Sequence, residues 1–140
     1  MLASFDVSTS ALVAQRQRLD AISSNMANMF TTRNEAGEKA PYQPRYVIFE
    51  SEPVPGGSKA ARGVRVSSVE IDPIEPRYKY DPGHPDAITE GDKKGYVALP
   101  NIDMTEQFVD AIEATRSYEA NVGAIEISKD LLNRTLNILA

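Results

Sequence analysis

The chain contains no cysteine in 140 residues, which excludes disulfides and thiolate metal sites and leaves the redox compartment open. No apolar run approaches the roughly 20 residues of a membrane-spanning helix. The first residues also lack the basic start and apolar stretch of a secretory signal. If the protein works outside the cytoplasm, a route other than a cleaved Sec-type signal takes it there. Lys and Arg form no cluster, and 15 basic against 20 acidic residues give a net charge of −5, so nucleic acid is not an expected partner. The only histidine, His84, stands between Asp81 and Asp86 in a Pro-flanked stretch. A metal site there would want a second His or a Cys, so neither a metal nor a catalytic role is expected. The glycine pairs are followed by no Lys-Ser or Lys-Thr at phosphate-loop spacing, and no nucleophile motif occurs. Composition thus predicts no enzyme, no cofactor and no small-molecule substrate.

What is present is concentrated at the two ends. Residues 101–140 hold no proline and a single glycine, Gly123, with seven acidic and three basic residues. Alternating steps of four and three from Met104 land on Phe108, Ala111, Thr115, Tyr118, Val122, Ile125, Lys129, Leu132, Leu136 and Leu139, and nine of these eleven positions are apolar. This is a heptad seam. Asp103 stands at an N-cap position with Glu106 three residues later, the capping-box spacing, so one helix is predicted from Asp103 nearly to the end. A second apolar row, Val109, Ile112, Ala120, Ile127, Leu131 and Ile138, runs beside the first. One face cannot hold both rows. A helix of this length would be about 55 Å long, longer than a compact domain of this size is wide. Its hydrophobic surface therefore calls for other subunits.

The N-terminal residues 4–30 step the same way through Phe5, Ser8, Leu12, Gln15, Leu19, Ile22, Met26 and Met29, six of the eight being apolar. A helix is predicted here, fraying at Asn25, Asn28 and the Thr31-Thr32 pair. Paired antiparallel, the two helices are expected to leave the chain termini at opposite ends of a rod-like module unless the connection between them is long. Between them, residues 31–44 read as a polar loop, Arg45 to Ser51 and Gly63 to Asp72 as two strands, and Arg77 to Tyr80 and Tyr96 to Leu99 as two short ones. The phase of the apolar positions switches near Ser67 and Ser68, which predicts a bulge. Residues 81–95 carry three glycines and two prolines and read as an extended surface loop. The expected fold is α+β: a coiled coil of N- and C-terminal helices (1–32 and 101–140) with a small antiparallel β insert (33–100). So small a sheet has little stability without support from its surroundings. Arg116, Tyr118 and Asn121 interrupt the apolar helix. They could form a binding site or a solvated face, and read in preference as interhelical packing positions, Asn121 as an amide able to fix register.

The opening SALVAQRQRLDAISSNMANMFTT resembles the first helix of the bacterial flagellar rod, hook and hook-associated protein family, through its Asn-x-Ala-Asn step at Asn25 to Asn28. The closing helix is similar to that of the same family, with Arg116, Tyr118, Ala120 and Asn121 in an Arg-x-Tyr-x-Ala-Asn pattern. The middle segments PYQPRYVIFE (41–50), YDPGHPDA (80–87) and GYVALPNID (95–103) resemble a short proximal-rod member with a small insert. ITEGDKK (88–94) departs from that pattern as a longer loop, and Met29-Phe30 replace the small or polar residues expected after Asn28.

The resemblance implies an axial subunit that packs helically with copies of itself into a tube, terminal helices inward and insert outward. It implies export to the periplasm through the flagellar type III apparatus without cleavage. The implied neighbours are other rod proteins, the junction protein and the inner-membrane ring at the rod base. The residues expected to carry packing within and between subunits are Phe5, Leu12, Leu19, Ile22, Asn25, Met26 and Asn28 in the first helix. In the second they are Phe108, Ile112, Arg116, Tyr118, Asn121, Val122, Ile125, Ile127, Leu131, Leu132, Leu136 and Leu139. Another axial subunit of the same family, a free coiled-coil adaptor, and a small hydrolase using Asp81, His84 and Asp86 are the competing readings.

Overall fold

The computed structural model describes residues 2–34, 36–54 and 61–139. Helix α1 (Leu2–Ala27) is followed by strands β1 (Arg45–Pro53), β2 (Arg62–Ile71), β3 (Arg77–Tyr80) and β4 (Tyr96–Leu99), and then by helix α2 (Met104–Leu139). The expected α+β architecture of two long terminal helices around a small β insert is the one observed.

Helix α2 starts where the N-cap chemistry puts it. The Asp103 carboxylate accepts the backbone N–H of Thr105 at 2.7 Å, and its pKa is held below the usual carboxylate range first by that bond and then by the Glu106 N–H. Two of the helix's orphan donors are thereby satisfied. The preceding Pro100 is fully buried and fixes the entry of the chain. Helix α1 stops at Ala27, three residues before the expected Phe30. The cause is Asn28, whose side-chain amide donates to the Ser24 carbonyl at 2.9 Å and whose own side-chain oxygen accepts the Thr31 hydroxyl at 3.1 Å. The Ser24 carbonyl still accepts the Asn28 N–H at 3.1 Å, and beyond it the Met29 N–H reaches back only three residues, to the Met26 carbonyl, so the chain leaves the α-helix in a tighter turn.

The strands form two separate antiparallel pairs, β1 with β2 and β3 with β4. Ile48 pairs with Ser68 but Phe49 pairs with Val66, so Ser67 is the extra residue of a bulge where the sequence pattern changes phase. Helix α1 crosses this hairpin diagonally and is pinned to it at two points 15 residues apart. At one end the Ser10 hydroxyl accepts the Val64 N–H at 3.1 Å while donating to the Val7 carbonyl at 2.7 Å. At the other, Asn25 bonds both backbone groups of Arg45, each at 2.8 Å. Polar groups that the hairpin would otherwise expose along its edges are thus taken up by the helix. The close approach at Ser10 requires Gly63, because a Cβ added there would lie 2.7 Å from the Ser10 hydroxyl oxygen.

The two helices run antiparallel. Arg18 meets Asp110 and Glu113, and Asn25 meets Gln107, so facing residue numbers sum to about 130. Leu2 therefore stands opposite about residue 128, and the two termini share one end of the module. Opposite ends were expected only for a short connection; here the whole β insert lies between the helices, and an antiparallel pair returns the chain to its start in any case. The core is built largely from small residues, with Ala14, Ala21, Ile22 and Ala114 in the helices and Val97 and Ile102 below them. Residues 81–95 are also more ordered than an extended surface loop. Ile88 N–H donates to the Tyr96 carbonyl and Gly95 N–H to the Ile88 carbonyl, both at 2.9 Å, and Asp86 and Ala87 are buried.

Candidate assembly interface

Asn25 is the junction at which helix pair and insert meet. It is 3% exposed, and its amide nitrogen donates to the Arg45 carbonyl at 2.8 Å and to Gln107 Oε1 at 3.1 Å. Its oxygen accepts the Tyr42 hydroxyl at 3.1 Å and the Arg45 N–H at 2.8 Å. One side chain, with both donors and both acceptor positions in use, ties α1 to the loop, to β1 and to α2. The first Asn of the Asn-x-Ala-Asn step is therefore the register amide, and the second, Asn28, ends the helix. Arg18 adds an interhelical ion pair to Asp110 and Glu113 at 3.4 Å each.

A second clasp joins the loop after α1 to residues 81–95. The buried Asp86 carboxylate accepts the Thr32 hydroxyl and Arg33 Nε, both at 2.7 Å. These bonds, Arg33 first, lower its pKa to about 2. The Asp86 N–H donates to His84 Nδ1 at 3.1 Å, and Lys39 Nζ donates to the Ala87 carbonyl at 3.2 Å. The group that could have suggested acid–base chemistry is thus consumed in holding two loops together. No group of three His, Asp or Glu side chains arranged to hold a metal ion occurs among the described residues. No helix among them is long and apolar enough to cross a membrane.

The face that α2 turns toward α1 lies beside the heptad seam read from the sequence. Its most enclosed position is Ala114, at 0% exposure, with Gln107, Ala111, Ser117, Asn121, Val122, Ile125, Ser128 and Leu132 part-buried. Small side chains let α1 approach closely, and that displaces the large ones. Phe108, Tyr118 and Leu136 of the seam are exposed, as are Val109, Ile112, Ile127, Leu131 and Ile138 of the second row, Ile127 at 65% and Ile138 at 83%. Of the remaining positions singled out in the sequence, Ile22 is buried and Phe5, Leu12, Leu19, Met26 and Asn28 are part-buried. Arg116 faces solvent, and the Asn121 amide donates to the Ser117 carbonyl at 2.8 Å within its own helix. Leu139 closes α2, its side chain lying outside the described residues. Arg18 and Gln107 were not marked in the sequence, Gly63 only as the start of a strand, and Asp86 only as a neighbour of His84, so none of the contacts they make here was expected. Their partners lie more than 50 residues away, and no periodicity reports that.

Residues 5–33 match the family described as flagella basal body rod protein, and residues 93–138 match the flagellar basal body rod FlgEFG protein C-terminal family. With its long antiparallel terminal helices and small β insert, this chain is a structural subunit of the bacterial flagellar basal-body rod, located in the basal body. Among its relatives, the flagellar basal-body rod protein FlgC of Borreliella burgdorferi is 42% identical over 99% of this chain and 97% of its own length. FlgC of Bacillus subtilis is 42% identical over 96% and 95%, and FlgC of Salmonella typhimurium 36% identical over 96% and 94%. The chain belongs to the FlgC family of flagellar rod proteins.

Proposed function

We infer that the chain polymerises helically through its two terminal helices, with copies of itself and with other rod proteins, into the proximal part of the drive shaft. Its work there is to transmit torque and not to catalyse a reaction. The observation that carries this reading is unburied surface. The chain exposes 9727 Å², whereas a folded monomer of its 15.4 kDa mass exposes about 7,200 Å². The excess is comparable to a large protein–protein interface, and Phe108, Val109, Ile112, Ile127, Leu131, Leu136 and Ile138 of α2 are among the exposed apolar side chains. At about 25 cal/mol per Å² of apolar area, a few such side chains per contact give several kcal/mol. Repeated around a lattice, contacts of that size make a stiff shaft.

The packing role extends to the residues at which helix pair and insert are locked, Asn25 and Asn28, and to the outward positions from Phe108 to Leu139. In this reading residues 1–32 and 101–140 form the inner tube and 33–100 the outer insert. The partners are the other rod components, the junction protein and the inner-membrane ring. The type III export apparatus delivers the chain without cleaving a signal. The test is a strain lacking this chain, examined for rods by electron microscopy and for swimming. Absence of both, restored by the intact gene, is expected. Normal rods and swimming without the chain would refute the function.

A further inference from the structure

Two features of the chain call for a partner outside the subunit. The first is Gly123, in the middle of α2. A glycine weakens a helix interior relative to alanine, and no positive φ requires it here. A Cβ added at Gly123 would meet nothing within 4 Å, so no neighbour among the described residues excludes a side chain. At about 100° per residue Gly123 lies diametrically opposite Ala114, the fully buried position against α1. It leaves a notch on the outward face, flanked by the exposed Glu119, Ala120, Glu126 and Ile127. Residues 117–128 hold those two glutamates and no basic residue.

The second feature is Phe30, 65% exposed just past the end of α1. It lines a pocket of about 410 Å³ with Arg77, Lys79, Val97 and Leu99. Arg77 pairs with Leu99 and Lys79 with Val97, so all four project from one face of the β3–β4 pair. Asp81 is the one acid in the lining, and His84, its Nδ1 occupied by the Asp86 N–H, completes it. Among the described residues none of Arg77, Lys79, Glu119 and Glu126 has an ion-pair partner. An apolar knob beside two cations thus answers a notch between two carboxylates. From Met104, which follows closely on β4, to Gly123 the helix rises about 28 Å, so knob and notch can meet only between copies.

We propose that Phe30 of one copy inserts into the Gly123 notch of a neighbouring copy, with Arg77 and Lys79 against Glu119 and Glu126. The inference rests on the rod reading and deepens it by making the β insert, and not the helix pair alone, a lateral contact between subunits. The two glutamates stand about 10 Å apart along α2 and the two cations about 7 Å apart along β3, a difference that their long side chains span. The contact joins two different patches, so it propagates from copy to copy instead of closing on itself.

A photo-crosslinking residue, p-benzoylphenylalanine, replaces Phe30 in the full-length chain, and isolated basal bodies are irradiated and digested with trypsin. Cleavage after Arg116 and Lys129 releases the notch as the single peptide 117–129, and position 30 should be cross-linked to that peptide. Attachment to another rod protein, to another part of this chain, or to nothing in rods that have formed would overturn the seating. In a second measurement, Gly123→Leu should leave the thermal midpoint of the monomer unchanged or higher and slow swarming by about tenfold or more. Phe30→Ala in the same chain should restore it. A lowered midpoint would show that Gly123 serves the subunit's own fold, and normal swarming that nothing enters the notch. Either result overturns the seating and leaves the rod function standing. Cells that swim and build rods without the chain would remove the rod reading itself.

Discussion

Removing the Asn25 side chain tests whether one buried amide holds helix pair and insert in register. Asn25 makes four hydrogen bonds of 2.8 to 3.1 Å. Each neutral bond contributes about 1 kcal/mol net, and each partner left dry costs more. The Arg45 backbone lies at a strand edge where water can partly replace the lost amide, so Asn25→Ala should destabilise the monomer by about 2–3 kcal/mol. Asn25→Leu separates cavity from polarity. It fills the space but abandons the Arg45 N–H, the Arg45 carbonyl and the Tyr42 hydroxyl, and should cost about as much. Asn25→Asp keeps the acceptor side and sets a carboxylate against the Arg45 carbonyl. Burial and that oxygen raise the acid's folded pKa above its unfolded value of about 3.9. Its cost should therefore be full at neutral pH and shrink as pH falls through the raised folded value, when the protonated acid donates where the amide did. Urea unfolding of the monomer followed by circular dichroism measures all three variants. A cost below about 0.5 kcal/mol for Asn25→Leu would show that the bonds are surface decoration, and a pH-independent Asn25→Asp would refute the assigned polarity.

Gly63→Ala should destabilise by about 1–3 kcal/mol, because its Cβ would meet the Ser10 hydroxyl oxygen at 2.7 Å. In a double-mutant cycle with Ser10→Gly, part of that loss should be recovered, and strict additivity would deny the contact. Asp86 has a folded pKa near 2 against an ordinary 3.8, so its contribution is complete above about pH 4 and lost as pH falls toward 2. Asp86→Asn should flatten acid unfolding across that window, and an unchanged acid limb would remove the clasp from the account. Ile127→Asp, at an outward position, should change monomer stability by less than about 0.5 kcal/mol and still abolish rod growth and swimming. Normal motility in that strain would take the outward row out of the assembly.

The elements were legible because they rest on local rules. The Asp103 cap, the alternation in β1 and β2, the phase switch at Ser67 and the Pro and Gly punctuation each act within a few residues. The helix face was legible only in part, since Ala111, Val122, Ile125 and Leu132 of the seam do lie on the part-buried face toward α1. A heptad pattern selects the largest apolar residues and assumes that they face the partner in the same chain, and Phe108, Tyr118 and Leu136 point away from it. The inner face is marked by what is small, Ala111, Ala114 and Ser117. Smallness in a sequence reads as the lack of a signal, although close packing of two helices requires it. The Asn-x-Ala-Asn step drew attention to Asn25, but its partners at Tyr42, Arg45 and Gln107 are set by how the insert returns to the helix. The Asp86 clasp was hidden because the local sequence sets Asp86 beside Asp81 and His84, while its partners Thr32 and Arg33 lie more than 50 residues away.

The uneven support along α2 leads to a prediction about order in the free subunit. Residues 107–125 lie against α1, tied by Gln107 and by Arg18 through Asp110 and Glu113. Beyond about residue 128 the antiparallel register provides no further α1, and the helix continues with Leu131, Leu136 and Ile138 exposed. A stretch of about ten residues with no α1 beside it among the described residues falls short of the roughly 12–15 residues at which an isolated helix becomes even marginal in water. It persists only as a continuation of the supported part and should fray from its end. Amide hydrogen exchange on the dilute monomer should show strong protection at 107–125 that falls steadily from 129 to 138. In assembled rods, where a neighbour covers that tail, protection should rise most in this same segment. Uniform strong protection over the whole of α2 in the monomer would mean that the outward rows are stable in water by themselves. Assembly would then have no share in forming the helix that carries it.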